Sequence, residues 1–210
     1  MKILVLGLPR SRSNFVTAAF AEFYGVPNLM EPYWYLRDVQ NYSSFVNGYT
    51  AELLNIPNFV CKLQSSNISS DALNGYAQFQ FGMYDSIYIT ARKNVVDQIA
   101  SLLVAKTNNA WVNYPREPLS IVFNRDKDKQ LLQEIEIDIK KLIILKNQLA
   151  KDNIHVRTLY YEISEDWVKT HLGNPKTELK KSDYDYKKII SNYSELEDVV
   201  SRHFEKLESL

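Results

Sequence analysis

The chain has 210 residues, with 25 basic and 25 acidic side chains, a formal net charge of +0 and 45% apolar residues. That length suits one full-sized domain spanning residues 1–210, the apolar share excludes overall disorder, and the even charge weighs against nucleic acid as the main partner. A single cysteine, Cys61, excludes an internal disulfide and fits a reducing, cytoplasmic setting.

In chain order, Lys2–Leu6 (KILVL) is a continuous apolar run, the pattern of a strand buried on both faces. Gly7-Leu8-Pro9 breaks it, and a helix is expected from near Ser13 to about Tyr24, ended by Gly25-Val26-Pro27. Asn28–Met30 is a candidate second strand, stopped by Glu31-Pro32, and Trp34 to about Leu54 reads as mostly helical. Asn58–Leu63 is a third strand and Asp71–Phe81 a helix. Ser86–Thr90 (SIYIT) has strong strand propensity, and Asn94 is placed to cap a helix over Val95–Val104. Thr107–Asn124 lacks periodicity and reads as a long loop or lid. Asp126–Lys151 carries an apolar seam at helical spacing, from Leu131 and Leu132 to Leu149. His155–Leu159 is the last strand and Glu162–Leu172 a helix ending at Gly173. Lys176–Tyr186 reads as irregular, and Ser194–Leu210 as a closing helix with Ser194 and Glu197 as a capping box. Strands alternating with helices imply an α/β fold: a mostly parallel central sheet flanked by helices in three layers.

No apolar run approaches the ~20 residues of a membrane span, and the N-terminal stretch lacks a small-residue cleavage site, so neither a span nor a signal peptide is expected. His155, His171 and His203 show no metal-ligand spacing, and no metal is expected.

The segment with most chemistry is Gly7 to Asn14, between the first strand and the first helix. Ligands of open parallel sheets bind beyond the carboxyl ends of the strands, and a helix N-terminus there offers orphan N–H groups and positive potential. Ser11, Ser13 and Asn14 add side-chain donors, and Arg10 and Arg12 add guanidinium forks suited to phosphate or sulfate. The segment is not a Walker A loop, because no Lys-Ser/Thr pair follows at the required place.

Pro9-Arg10-Ser11-Arg12-Ser13-Asn14-Phe15 resembles the 5′-phosphosulfate loop of the sulfotransferases that use 3′-phosphoadenosine-5′-phosphosulfate (PAPS), which reads roughly P-K/R-S-G-T-T-W/F. Arg12 stands where that loop has Gly, and Asn14 where it has the second Thr. A second stretch, Ser86–Ser101, resembles the family's 3′-phosphate signature; in the trehalose-sulfotransferase-like branch this is R-x5-Q-x2-S, matched by Arg92, Gln98 and Ser101. The resemblance implies a P-loop-NTPase-like fold and PAPS as co-substrate. It also implies that Pro9 to Asn14 hold the 5′ end and Arg92 and Ser101 the 3′-phosphate.

Sulfuryl transfer needs a proton acceptor and cations on the transferred group. Glu31-Pro32 matches the Glu-Pro that carries the proposed base in that branch, so Glu31 and Arg10 are the implied catalytic residues. Lys62 is read as a strand-end lysine touching substrate or sulfate, and Tyr33 and Trp34 as acceptor contacts. Tyr160-Tyr161-Glu162 reads as structural; Trp111 and Tyr114 are aromatic candidates, and Lys180 and Lys181 possible 3′-phosphate contacts. The acceptor is a small molecule or glycan in this reading, and the oligomeric state is not legible. A small-molecule kinase and a non-catalytic nucleotide-binding protein of the same fold stay open as alternatives.

Overall fold

The computed structural model describes residues 1–31, 52–68, 73, 81–108, 120–176, 184–205 and 207. Four strands, β1 (Lys2–Gly7), β2 (Phe59–Gln64), β3 (Ser86–Ala91) and β4 (Val156–Tyr160), form an all-parallel sheet in the order β2-β1-β3-β4. Helices α1 (Ser13–Tyr24), α2 (Val95–Asn108), α3 (Arg125–Lys151), α4 (Tyr161–Leu172), α5 (Tyr186–Ile189) and α6 (Tyr193–Phe204) flank it.

Alternation along β1 shows how both faces are covered. Ile3 and Val5 pack with Phe15, Val16 and Phe20 of α1 and Val168 of α4. Leu4 and Leu6 belong to a larger cluster with Ile99 and Leu103 of α2, Ile135 and Leu142 of α3, and Leu196 of α6. A strand buried on both sides must be apolar at every position, as KILVL is. Each fully buried aliphatic contributes ~1.5–3 kcal/mol, so the two clusters supply most of what holds the sheet.

The expected second strand is reduced to one parallel bridge, Asn28 to Val60, beyond β2. The Leu29 N–H donates to the Val60 carbonyl and the Lys62 N–H to the Met30 carbonyl, but Met30 turns into the left-handed region at φ 53, so the contact does not extend into a regular strand. The helix after Asn94 runs on to Asn108, and the Asn94 side chain accepts from the N–H groups of Val96 and Asp97 as expected. The seam helix starts one residue early because Asn124 caps it, accepting from the N–H groups of Asp126 and Lys127.

The closing helix departs from expectation at its start. Its N-cap is Asn192, with no side-chain cap bond, and Ser194 lies inside the first turn. The Asn192 amide is engaged by Phe123 instead, accepting from its N–H and donating to its carbonyl. The four-residue α5 begins at Tyr186, where the sequence pattern ends its irregular stretch. The helices expected over 34–54 and 71–81, and most of the loop at 107–124, lie largely outside the described residues. Among the described residues no helix is long and apolar enough to cross a membrane.

Candidate functional site

From β1 the chain goes first to β2 on one side and later to β3 on the other, so the crevice at the carboxyl end of β1 is the topological switch point. The loop from Leu8 to Arg12 occupies it. The turn is made by two left-handed residues, Arg10 and Arg12, both at φ 64. Arg12 therefore takes the conformation that suits glycine, at the position where the resembled loop has one. Gly7 is needed for space: a Cβ there would lie 2.6 Å from the Ser13 Cβ.

Helix α1 begins without a side-chain cap and without an acidic residue in its first turn. Its first helical bond runs from the Val16 N–H to the Arg12 carbonyl. Among the described residues, the N–H groups of Ser13, Asn14 and Phe15 have no acceptor, and the Ser13 hydroxyl has no hydrogen-bond partner. These donors stand at the positive end of a 12-residue helix, the arrangement that favours an anion.

The loop's other polar side chains divide. The Ser11 hydroxyl, fully buried, donates to the Leu8 carbonyl at 2.6 Å and lies 2.8 Å from the Thr90 Oγ1. It pins the turn internally and does not present itself as a ligand donor. Arg12 is turned aside as well, its Nη1 at 3.1 Å from the Glu165 carboxylate of α4 and its guanidinium 4.3 Å from the Phe15 ring centroid. The sequence assigns both side chains to the ligand; in the fold Ser11 bonds to Leu8 of its own loop and to Thr90, and Arg12 to Glu165. Pro9 contributes its carbonyl, which accepts from the Gln98 amide at 2.9 Å.

On the β3 side, α2 and the residue leading into it grip the loop. Arg92 Nε donates to the Arg10 carbonyl at 2.9 Å, Gln98 Nε2 donates to Pro9, and Arg10 Nε donates to the Ser101 hydroxyl at 3.0 Å. Gln98 and Ser101 share one face of α2 and Arg92 lies just beyond β3, so the second sequence segment closes directly over the first. Arg92 is only 7% exposed and stacks 3.8 Å from the Tyr161 ring centroid. Among the described residues its hydrogen-bond acceptors are carbonyls of Arg10 and Asp97, neither of which carries a full charge. A guanidinium buried so deeply without a counter-charge is costly, which makes the spot receptive to an anion. Burial also lowers the Arg10 pKa from its ordinary value; the Tyr186 phenol opposes that shift and the Arg92 charge adds to it.

On the β2 side, Lys62 is not the strand-end residue expected, because β2 continues to Gln64. It sits opposite Val5 and is 5% exposed. Its ammonium is satisfied by the Glu31 carboxylate and by the Asn14 Oδ1. Gln64 Nε2 donates to the same Glu31 oxygen, Oε1, at 2.9 Å. The structure thus brings Glu31, Lys62 and Asn14 together beside the start of α1.

Tyr33, Trp34, Trp111, Tyr114, Lys180 and Lys181 lie outside the described residues. The sequence marks Tyr161 as structural and does not single out Thr90 or Tyr186; in the fold Thr90 meets Ser11, the Tyr161 ring lies against Arg92, and Tyr186 acts on Arg10. The signal available was positional, since Thr90 and Tyr161 each lie at or just beyond the carboxyl end of a parallel strand. Among the described residues no group of three or more His, Cys, Asp or Glu gathers as a metal site. A scan against protein-family models found no match to this chain, and a search of the curated proteins found none either.

Proposed function

We propose that the chain is a PAPS-dependent sulfotransferase of P-loop-like, three-layer fold. It moves a sulfuryl group from PAPS to a hydroxyl or amine of a small-molecule or glycan acceptor. The observation that carries this reading is the convergence of Arg92, Gln98 and Ser101 on Pro9 and Arg10. Two segments resembling the family's two nucleotide signatures, 91 residues apart at Arg10 and Ser101, meet as one constellation.

The residues suit a doubly anionic nucleotide. The uncapped start of α1, with the N–H groups of Ser13, Asn14 and Phe15 and the Ser13 hydroxyl, would take the 5′-phosphosulfate. Arg92 and Ser101 would take the 3′-phosphate, and the Arg10 guanidinium, bonded to Ser101, joins them there, in place of the catalytic role at the 5′ end that the resemblance implies for it. PAPS supplies the sulfuryl group and leaves as 3′-phosphoadenosine-5′-phosphate (PAP). The Glu31 carboxylate receives the proton of the acceptor hydroxyl; Lys62 and Gln64 both hold its Oε1, which leaves Oε2 for that task. Lys62 also links that carboxylate to Asn14 at the anion cradle, placing a positive charge where the transferred group carries developing negative charge.

Isothermal calorimetry with PAP, ATP and AMP tests the reading. PAP is expected to bind most tightly, without Mg²⁺. Preferential binding of ATP with Mg²⁺ would replace the proposal with the kinase alternative. PAP binding without transfer to any acceptor would leave a nucleotide-binding protein.

A further inference from the structure

The C-terminal segment brings one unexplained polar group to this site. Tyr186, the first residue of α5, is 8% exposed, and its hydroxyl has no hydrogen-bond partner among the described residues. An unsatisfied buried hydroxyl is destabilising, and a phenylalanine would fill the same space without that cost. Its neighbour on the same segment is satisfied: the Tyr193 hydroxyl donates to the Asp97 Oδ1 at 3.1 Å.

The segment is not loosely placed. The Ile121 N–H donates to the Ile189 carbonyl at 2.8 Å and the Ser191 N–H to the Ile121 carbonyl at 2.9 Å. Asp97, which receives Tyr193, also accepts from Arg92 through its carbonyl. Helix α5 packs on α2, the helix of Gln98 and Ser101. Of the phenols that act on the Arg10 guanidinium, Tyr186 most strongly opposes the lowering of its pKa by burial. A guanidinium offers donors only, so it cannot accept from the Tyr186 O–H, which needs some other acceptor. Arg10, Arg92 and Ser101 converge on the same place, and an oxyanion between them is the acceptor the phenol lacks.

We propose that Tyr186 is a further binding residue of this site, its hydroxyl donating to the phosphate monoester held by Arg10, Arg92 and Ser101. The inference rests on the proposed nucleotide specificity and names the residue that completes the subsite telling PAP from AMP.

The test is Tyr186→Phe, compared with wild type by calorimetry against PAP and AMP and by thermal unfolding with and without PAP. Loss of a hydrogen bond to a charged group should weaken PAP about tenfold or more, while AMP changes less than about twofold. The ligand-free variant should melt at or above the wild-type temperature, because an orphan hydroxyl has been removed, while the stabilisation by PAP shrinks. A purely structural tyrosine would not give these opposite signs. If wild type prefers PAP to AMP and the variant prefers it equally, Tyr186 is not a ligand contact and the proposed function stands. If wild type shows no preference for PAP, the nucleotide reading falls and this inference with it.

Discussion

Replacing Gly7 with alanine probes whether the close approach of β1 and α1 builds the anion cradle. The added Cβ would lie 2.6 Å from the Ser13 Cβ, 2.8 Å from its Oγ and 3.1 Å from the Thr90 Oγ1. Carbon atoms prefer ~3.5–4.0 Å, so the start of α1 must retreat by about 1 Å. Neither obstacle is a flexible tip. The Ser13 Cβ is fixed to the helix backbone, and the Thr90 hydroxyl is held by the Leu6 carbonyl and by Ser11. Overpacking of this kind costs about 1–3 kcal/mol, and at this chain length each kcal/mol is worth about 2–4 °C, so the melting temperature should fall by roughly 2–12 °C. The functional effect should be sharper. On the proposed function, PAP at about 100 times its Kd would stabilise wild type by about 2.7 kcal/mol, and a displaced α1 start should lose most of that. Gly25→Ala is the control: Gly25 has φ +62 and nothing within 4 Å of an added Cβ, so it incurs only the left-handed strain of about 1–2 kcal/mol and keeps the full response to PAP. Circular dichroism melts of the three proteins, with and without PAP, decide the matter. A Gly7→Ala protein that melts with wild type, or that keeps the whole ligand shift, refutes the reasoning.

Arg12 sets two effects against each other. Arg12→Gly relieves the left-handed strain and loses the partly exposed contact with Glu165, so urea unfolding should find it within about 1 kcal/mol of wild type. Arg12→Ala keeps the strain and loses the contact, and should be less stable than Arg12→Gly by about 1 kcal/mol; the reverse order would show that the left-handed strain at this position is smaller than the unfolded-state entropy that glycine adds. Glu31→Gln should lower the transfer rate about 10²–10⁴-fold with PAP affinity little changed, and undiminished turnover retires Glu31 as the base. Burial raises the Cys61 pKa from 9.0 to about 12. A raised folded-state value means stability is fully present below the unfolded pKa and declines as pH climbs from about 9 toward 12, by an amount that Cys61→Ala should remove from the alkaline limb. Below that window the native thiol should resist a disulfide reagent until the protein unfolds; rapid labelling of folded protein would contradict its burial.

Much of this architecture is legible in the chain alone, because its signals are local. An unbroken apolar run such as KILVL admits few places other than the middle of a parallel sheet, and β1 is there, paired on both sides. Asn94, an acceptor one residue ahead of a periodic stretch, caps as expected. The proximity of Arg10 and Ser101 is implied by family resemblance and required folding to realise, since no local rule joins residues that far apart.

What folding alone decided was which partner each polar side chain bonds. Ser11 and Arg12 have the composition of ligand donors, yet the turn directs one to Leu8 and Thr90 and the other to Glu165. Asn192 stands as N-cap in place of Ser194, and Phe123, brought alongside by the bridge between Ile121 and Ile190, takes both halves of its amide. Lys62 has the sequence position of a strand end and is an interior residue, tolerable there only because Glu31 and Asn14 arrive from other segments. Composition and periodicity determine which segments become strands and helices, since those preferences act over a few residues. The pairing of polar groups is settled by distances between segments remote in sequence, and only the folded chain brings them within reach.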